Sequence, residues 1–249
     1  MQTTQSLESP TANLTIDNLT PFTAYNVTSL PFTVVGSGTP SPPLQLLTDQ
    51  AAPAAAPAFQ TERVTSTRIN VSWSEVALPD ANGIITAYSV INADTNIVLC
   101  ATTALTCTIA SLAPGTTYQL QLAASTITGA GPRSALRAVR TLDAVPAGLS
   151  RPLIRNVTDR AATLSWASPT EPNGVILKHE ISAITSQSER LIEVEGSALE
   201  YQISGLQPAT EYAFKLRAYT SLGASEYTAS VNATTLETGE LRGNALLIT

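Results

Sequence analysis

Leu19-Thr20-Pro21-Phe22-Thr23-Ala24-Tyr25 recurs as Leu112-Ala113-Pro114-Gly115-Thr116-Thr117-Tyr118, and again as Leu206-Gln207-Pro208-Ala209-Thr210-Glu211-Tyr212. The shared pattern is Leu-x-Pro-x-Thr-x-Tyr, at offsets of 93 and 94 residues. Other landmarks keep step with it. Gly36, Gly129 and Gly223 each follow the tyrosine by 11 residues, and Thr48, Thr141 and Thr235 close each unit. Trp73 and Trp166 lie 93 apart, and Asn82-Gly83 and Asn173-Gly174 lie 91 apart. Matches in phase at so many positions mark an internal repeat.

A period near 93 is too long for a solenoid unit and suits one small β-sandwich. The local pattern agrees. Ile69-Asn70-Val71-Ser72-Trp73 alternates apolar and polar residues, as a half-buried strand does. Leu164 and Trp166 alternate with Thr163 and Ser165 in the same way. Tyr118, Leu120 and Leu122 share one strand face, and Tyr212, Phe214 and Leu216 share another, with Lys215 and Arg217 outward. Asn-Gly and Gly-Pro turns separate the runs. The fold class read here is all-β.

The landmarks together resemble the fibronectin type III family. They are a tryptophan in the second strand (Trp73, Trp166), an Asn-Gly turn, and the motif built on Leu19, Leu112 and Leu206, Pro21, Pro114 and Pro208, and Tyr25, Tyr118 and Tyr212. The resemblance implies tandem seven-stranded Ig-like sandwiches. It also implies a tyrosine corner, in which the ring packs in the core and the hydroxyl bonds to backbone just upstream. Details such as Pro172-Asn173-Gly174-Val175-Ile176-Leu177 and Ala218-Tyr219-Thr220-Ser221-Leu222-Gly223 are similar to the usherin-like type of large fibronectin-repeat protein.

The repeat divides the chain. Residues 1–49 hold the last part of one unit, with no tryptophan or Asn-Gly before Tyr25, so the sequence is expected to start inside a longer protein. Residues 50–57 are rich in proline and alanine and read as a stiff spacer. Complete domains are expected over 58–142 and 146–236, joined by a shorter junction at Leu142-Asp143-Ala144-Val145-Pro146. Residues 237–249 read as a tail or the start of another repeat.

Of the 249 residues 43% are hydrophobic and 13% charged, about half the usual charged share. The net charge is −6 and the basic residues form no run, a poor match to nucleic acid or anionic membrane. No apolar stretch is long enough to span a bilayer, so no direct membrane insertion is expected within the segment. The N-terminus lacks the basic and apolar regions of a signal peptide.

Little in the chain suggests catalysis. His179, the only histidine, follows Asn173 by six residues, as Tyr88 follows Asn82, and is expected to replace a core aromatic. With no second base there is no Ser-His or Cys-His pair and no metal triad. No catalytic residue, metal site or cofactor is assigned. Glu193 and Glu195 fall on one strand face and read as a solvated surface. Leu142-Asp143-Ala144-Val145 has a faint likeness to an integrin-binding tripeptide, which a strand end followed by a linker explains equally well. Cys100 and Cys107, seven apart, fit no metal or redox motif and are expected to form a disulfide clamping a hairpin between adjacent strands. Glycosylation sequons begin at Asn13, Asn18, Asn26, Asn70, Asn156 and Asn232.

These readings point to a non-catalytic structural or adhesive segment of a secreted or single-pass membrane protein. Its partners would be other extracellular or matrix proteins. Two alternatives stay open: the ectodomain of a receptor tyrosine phosphatase or kinase, and a spacer in a secreted bacterial carbohydrate-active enzyme.

Overall fold

A computed structural model of the chain describes residues 13–239. The expected segment 237–249 and the first twelve residues lie largely outside that range. The partial unit and the two complete repeats are each described by themselves.

In the partial unit, β1 (Ala24–Val27), β2 (Phe32–Thr33), β3 (Gly36–Ser37) and β4 (Leu44–Leu47) form two small antiparallel pairs, β1 with β4 and β2 with β3. Leu30, Phe32, Leu44, Leu46 and Leu47 are exposed on it.

The first complete repeat contains β5 (Phe59–Val64), β6 (Ile69–Trp73), a single helical turn α1 (Leu78–Ala81), β7 (Ala87–Asn92), β8 (Ile97–Thr102), β9 (Thr106–Ile109), β10 (Thr117–Thr126), β11 (Gly129–Arg133) and β12 (Arg137–Arg140). One sheet runs β5-β6-β9 and the other β11-β10-β7-β8, with β12 also pairing with β10. The second repeat repeats this with β13 (Leu153–Val157), β14 (Ala161–Ser165), β15 (Lys178–Ile184), β16 (Glu189–Glu195), β17 (Glu200–Ser204), β18 (Glu211–Thr220), β19 (Gly223–Ala224) and β20 (Val231–Thr234). Its sheets are β13-β14-β17 and β16-β15-β18-β19, with β20 pairing with β18. Counting the broken last strand once, each complete repeat has seven strands in two antiparallel sheets, the all-β sandwich class expected.

The alternation seen in the sequence builds the cores. In the second repeat Leu164, Ile181, Ile203, Phe214 and Leu216 are fully buried, with Trp166, Ile192, Val194 and Tyr212 around them. Each such side chain contributes about 1.5–3 kcal/mol by leaving water. In the first repeat Ile69, Val71, Val90, Leu120 and Leu122 occupy matching inward positions. The Trp73 ring lies 5.6 Å from that of Tyr88, and the Trp166 ring 5.4 Å from that of His179. His179 therefore fills the slot of a core aromatic and is 1% exposed. Neither of its ring nitrogens meets a hydrogen-bond partner.

The repeated motif is a hydrogen-bonded corner. The hydroxyls of Tyr25, Tyr118 and Tyr212 accept from the backbone N–H of Thr20, Ala113 and Gln207, at 2.8, 2.8 and 2.9 Å. The hydroxyls of Thr48, Thr141 and Thr235 donate to the carbonyls of those same three residues, at 2.7, 2.7 and 2.6 Å. They also accept from the N–H of Thr23, Thr116 and Thr210. The hydroxyls of Thr23, Thr116 and Thr210 in turn donate to the proline carbonyls. The position between leucine and proline is thus held by its backbone alone, which is why Thr, Ala and Gln all serve there. The loop also needs left-handed backbone after the proline, where Phe22, Gly115 and Ala209 have φ of 48°, 58° and 47°.

The disulfide differs from the expectation. Cys100 and Cys107 are bonded, with Cα atoms 6.7 Å apart. They do not clamp a hairpin, because β8 is the edge of one sheet and β9 the edge of the other. The bond instead staples the two sheets along one open side. On the corresponding side of the second repeat, Arg190 of β16 donates to the Ser204 carbonyl of β17 at 2.7 Å.

The spacer read at 50–57 also has a different structure. Ala51 N–H donates to the Asn82 carbonyl at 2.9 Å, Ala54 N–H to Asp80 at 2.7 Å, and Thr126 Oγ1 to the Ala51 carbonyl at 2.8 Å. Ala144, Asn173 and Thr220 repeat the first and third of these bonds. The Asn82 and Asn173 side chains each donate to the residue after that alanine, Ala52 and Val145. Composition suggested a stiff spacer, but Ala51, Ala52 and Ala54 of one arm and Ala144 and Val145 of the other hydrogen-bond to the repeat that follows.

Two substitutions test these assignments. Thr235→Val keeps the shape of the corner but leaves the Thr210 N–H and the Gln207 carbonyl unpaired, and is expected to lower unfolding free energy in urea by about 1–3 kcal/mol. Burial holds the His179 imidazole below its ordinary value of 6.5, so the unfolded chain takes up a proton more readily than the folded one. Its penalty is absent above that value and grows as pH falls below it. His179→Phe is expected to raise stability at neutral pH and to flatten the loss on acidification between pH 7 and 5, measured by thermal unfolding across that window.

Candidate functional site

The outer face of the four-stranded layer in the second repeat carries a dense array of hydrogen-bonded and charged side chains. Strand register lays it out in rows across β16, β15 and β18. The rows are Glu195–Lys178–Tyr219, Glu193–Glu180–Arg217 and Leu191–Ser182–Lys215. The alternate residues, Ile181, Ile192, Val194, Leu216 and Ala218, point inward and fix the orientation of the strands.

Glu180 is the centre of this face and is only 6% exposed. Its carboxylate accepts from Arg217 Nε at 2.8 Å and Nη2 at 2.7 Å, from Tyr219 Oη at 3.0 Å, and from Tyr227 Oη. The Arg217 guanidinium lies 4.5 Å from the Tyr227 ring centroid and 5.1 Å from that of Tyr219, and Lys178 Nζ lies 4.7 Å from the latter. Lys178 also pairs with Glu193. Burial alone would raise the Glu180 carboxyl. Donation from Tyr227, Tyr219 and Arg217 outweighs it and holds the group below its ordinary value. Burial, reinforced by the bond to Glu180, pushes the Tyr227 hydroxyl up to about 12. The carboxylate is thus ionised and saturated. The arrangement presents a rigid Arg–Tyr surface and offers no free acid or base for proton transfer.

Asp143 is held in a comparable way. Its carboxylate accepts from Ser221 Oγ at 2.7 Å and from Arg140 Nη2 at 2.8 Å, and those two bonds hold it below the usual carboxylate range. The Leu142-Asp143-Ala144-Val145 stretch is therefore built into the arm of the second repeat, with its acid already occupied.

The other sequence candidates fall as follows. Asn13, Asn18, Asn26, Asn156 and Asn232 are exposed, and Asn70 is half-buried between fully buried Ile69 and Val71. Asn232 Nδ2 donates to Glu211 at 3.3 Å. Trp73, Trp166, Tyr118 and Tyr212 line the repeats, and Tyr25 is half-buried in the partial unit. Among the described residues no group of three or more His, Cys, Asp or Glu side chains could hold a metal. No described helix is long and apolar enough to cross a membrane.

Sequence reading missed the Glu180 cluster. Alternation alone places Glu180, Arg217 and Tyr219 outward. Their meeting depends on the pairing register of β15 with β18 and on the return of Tyr227 after β19.

A family model of the fibronectin type III domain matches residues 52–140 and 149–234. Protein sidekick-1 of Mus musculus is 31% identical over 226 residues, covering 86% of this chain and 10% of that protein. Receptor-type tyrosine-protein phosphatase F of Homo sapiens is 30% identical over 222 residues, covering 84% and 11%. The chain thus spans about a tenth of the length of these curated relatives. The crystal structure of chicken CNTN1 FN1-FN3 domains is 18% identical with a TM-score of 0.37, covering 88% of this chain and 77% of that one.

Breaking the Glu180–Arg217 pair separates a packed ion pair from a solvated one. Arg217→Met leaves a buried carboxylate with two hydroxyl donors, and is expected to destabilise by about 2–4 kcal/mol. The double variant Glu180→Met, Arg217→Met should recover most of that loss in urea unfolding. A double-variant loss equal to the sum of the losses of Glu180→Met and Arg217→Met would mean the pair is not coupled.

Proposed function

We propose that this chain, which belongs to the fibronectin type III family, is a non-catalytic structural and adhesive segment of a large extracellular or cell-surface protein. The observation that carries the reading is where the chemically capable side chains are spent. The single histidine packs against Trp166, the buried carboxylate is saturated by one arginine and two tyrosines, and the cysteine pair staples two sheets. These groups stabilise sandwiches and leave no nucleophile–base pair among the described residues. A disulfide between sheet edges belongs to an oxidising compartment. The segment presents exposed strand faces and loops, where binding modules carry their contacts. We place the domain limits at the start of each hydrogen-bonded arm, near residues 50 and 143, which assigns the 50–57 segment to the repeat that follows it.

Similarity to a receptor-type tyrosine-protein phosphatase favours one further reading, that the segment is an ectodomain spacer of a receptor whose catalytic domain lies outside these 249 residues. The two readings share compartment and chemistry and differ only in flanking sequence.

Secretion of the 249-residue chain from a eukaryotic cell, followed by intact-mass analysis with glycosidase and thiol alkylation, tests the compartment. Glycans on exposed sequons such as Asn156 or Asn232, with Cys100 and Cys107 refractory to alkylation, are expected. Unmodified asparagines together with two freely alkylated thiols would overturn the extracellular reading.

A further inference from the structure

On the outer face of the second repeat β16 is acidic, whereas the middle of β18 is basic, with Glu211 at its first position. On β16, Glu189, Glu193 and Glu195 point outward with Leu191 among them. On β18, two strands away, Lys215 and Arg217 point outward beside Tyr219. Among the described residues Lys215 and Glu195 have no ion-pair partner. The fold itself does not require these charges. The matching face of the first repeat carries Ser89, Ile91, Gln121 and Ala123 and packs the same sandwich beneath.

We propose that this face binds the same face of a second copy of the chain. The proposal rests on the adhesive reading and names a partner for it. The argument is symmetry. A two-fold axis lying in the interface and running along β15 exchanges β16 with β18. The acidic strand of each copy then faces the basic strand of the other, with Glu193 opposite Arg217 and Leu191 opposite the aliphatic stem of Lys215. An axis across the strands would instead oppose β16 to itself, acid against acid. One isologous arrangement is therefore favoured over the other by charge alone. Lys178, on the middle strand, is drawn aside by Glu193 and the Tyr219 ring. Arg217 is already rigid between two tyrosine rings, so ordering it on contact carries little further entropy cost. Arginine and tyrosine are also the residue types that dominate interface energetics. A face three strands wide is smaller than a standard stable interface, so association is weak for one pair and effective where many copies are arrayed on opposed surfaces. Asn232 stands opposite Ala213 on the same face, so the test uses deglycosylated protein.

The test is sedimentation equilibrium of the full chain at low salt, up to about 1 mM, where weak pairing is measurable. Two variants at exposed or half-exposed positions are compared, Glu193→Lys with Glu195→Lys, and Lys215→Glu. Wild type should dimerise, more weakly as salt rises. Each variant alone should associate at least about tenfold less tightly, since Glu193→Lys sets an ammonium opposite Arg217 and Lys215→Glu sets a carboxylate opposite Leu191, between Glu189 and Glu193 of the other copy. An equimolar mixture of the two variants should associate more tightly than either alone, because one of its two β16–β18 contacts keeps the wild-type charges. Unchanged thermal unfolding of both variants excludes misfolding as the cause of loss. A monomeric wild type at all concentrations would overturn the proposal, as would dimers indifferent to both variants or a mixture no tighter than the variants alone. None of these results bears on the compartment, which the alkylation and glycan analysis decides separately.

Discussion

Each repeat turns on one backbone residue gripped at both ends. The N–H of Ala113 is bound by the Tyr118 hydroxyl and its carbonyl by the Thr141 hydroxyl, and Gln207 is bound in the same way by Tyr212 and Thr235. The corner ties the loop before a long central strand to the end of the last strand, some 28 residues later. Net hydrogen-bond energies are modest, about 1 kcal/mol each, but leaving a buried partner unpaired costs more. The motif therefore acts as an all-or-none unit, so its letters travel together through three units while the loop residue between leucine and proline drifts freely.

Around this fixed corner the two complete repeats solve the same problems with different chemistry. The open side between sheet edges is closed by a disulfide in the first and by an arginine–carbonyl bond in the second. The aromatic beside the core tryptophan is a tyrosine in one and a histidine in the other. Such exchanges are tolerated because the sandwich needs volume and closure at these places more than any one functional group. The outer strand face is freer still, and there the repeats diverge, from Ser89, Gln121 and Ala123 with Arg133 beside them to an ordered array of acids, bases and tyrosines.

That divergence bears on function. The bonds that saturate the Glu180 carboxylate also hold Arg217, Tyr219 and Tyr227 rigid, and rigid arginine and tyrosine side chains suit a binding surface.

The sequence by itself determined the repeat, the sandwich class, the inward strand faces and the core role of His179. All of these follow from periodicity and from residue types at fixed spacing. It could not reveal that Cys100 and Cys107 join different sheets, since seven residues of separation suit either a hairpin or a crossover. Nor could it show that Ala51 and Ala144 are hydrogen-bonded arms, since backbone partners leave no trace in side-chain composition. Glu180, Arg217, Tyr219 and Tyr227 lie up to 47 residues apart, and only strand register and the return of the chain after β19 bring them together. Local pattern decides which way a side chain faces, whereas tertiary structure decides which distant side chain it meets, because that depends on how strands pair across the sheet.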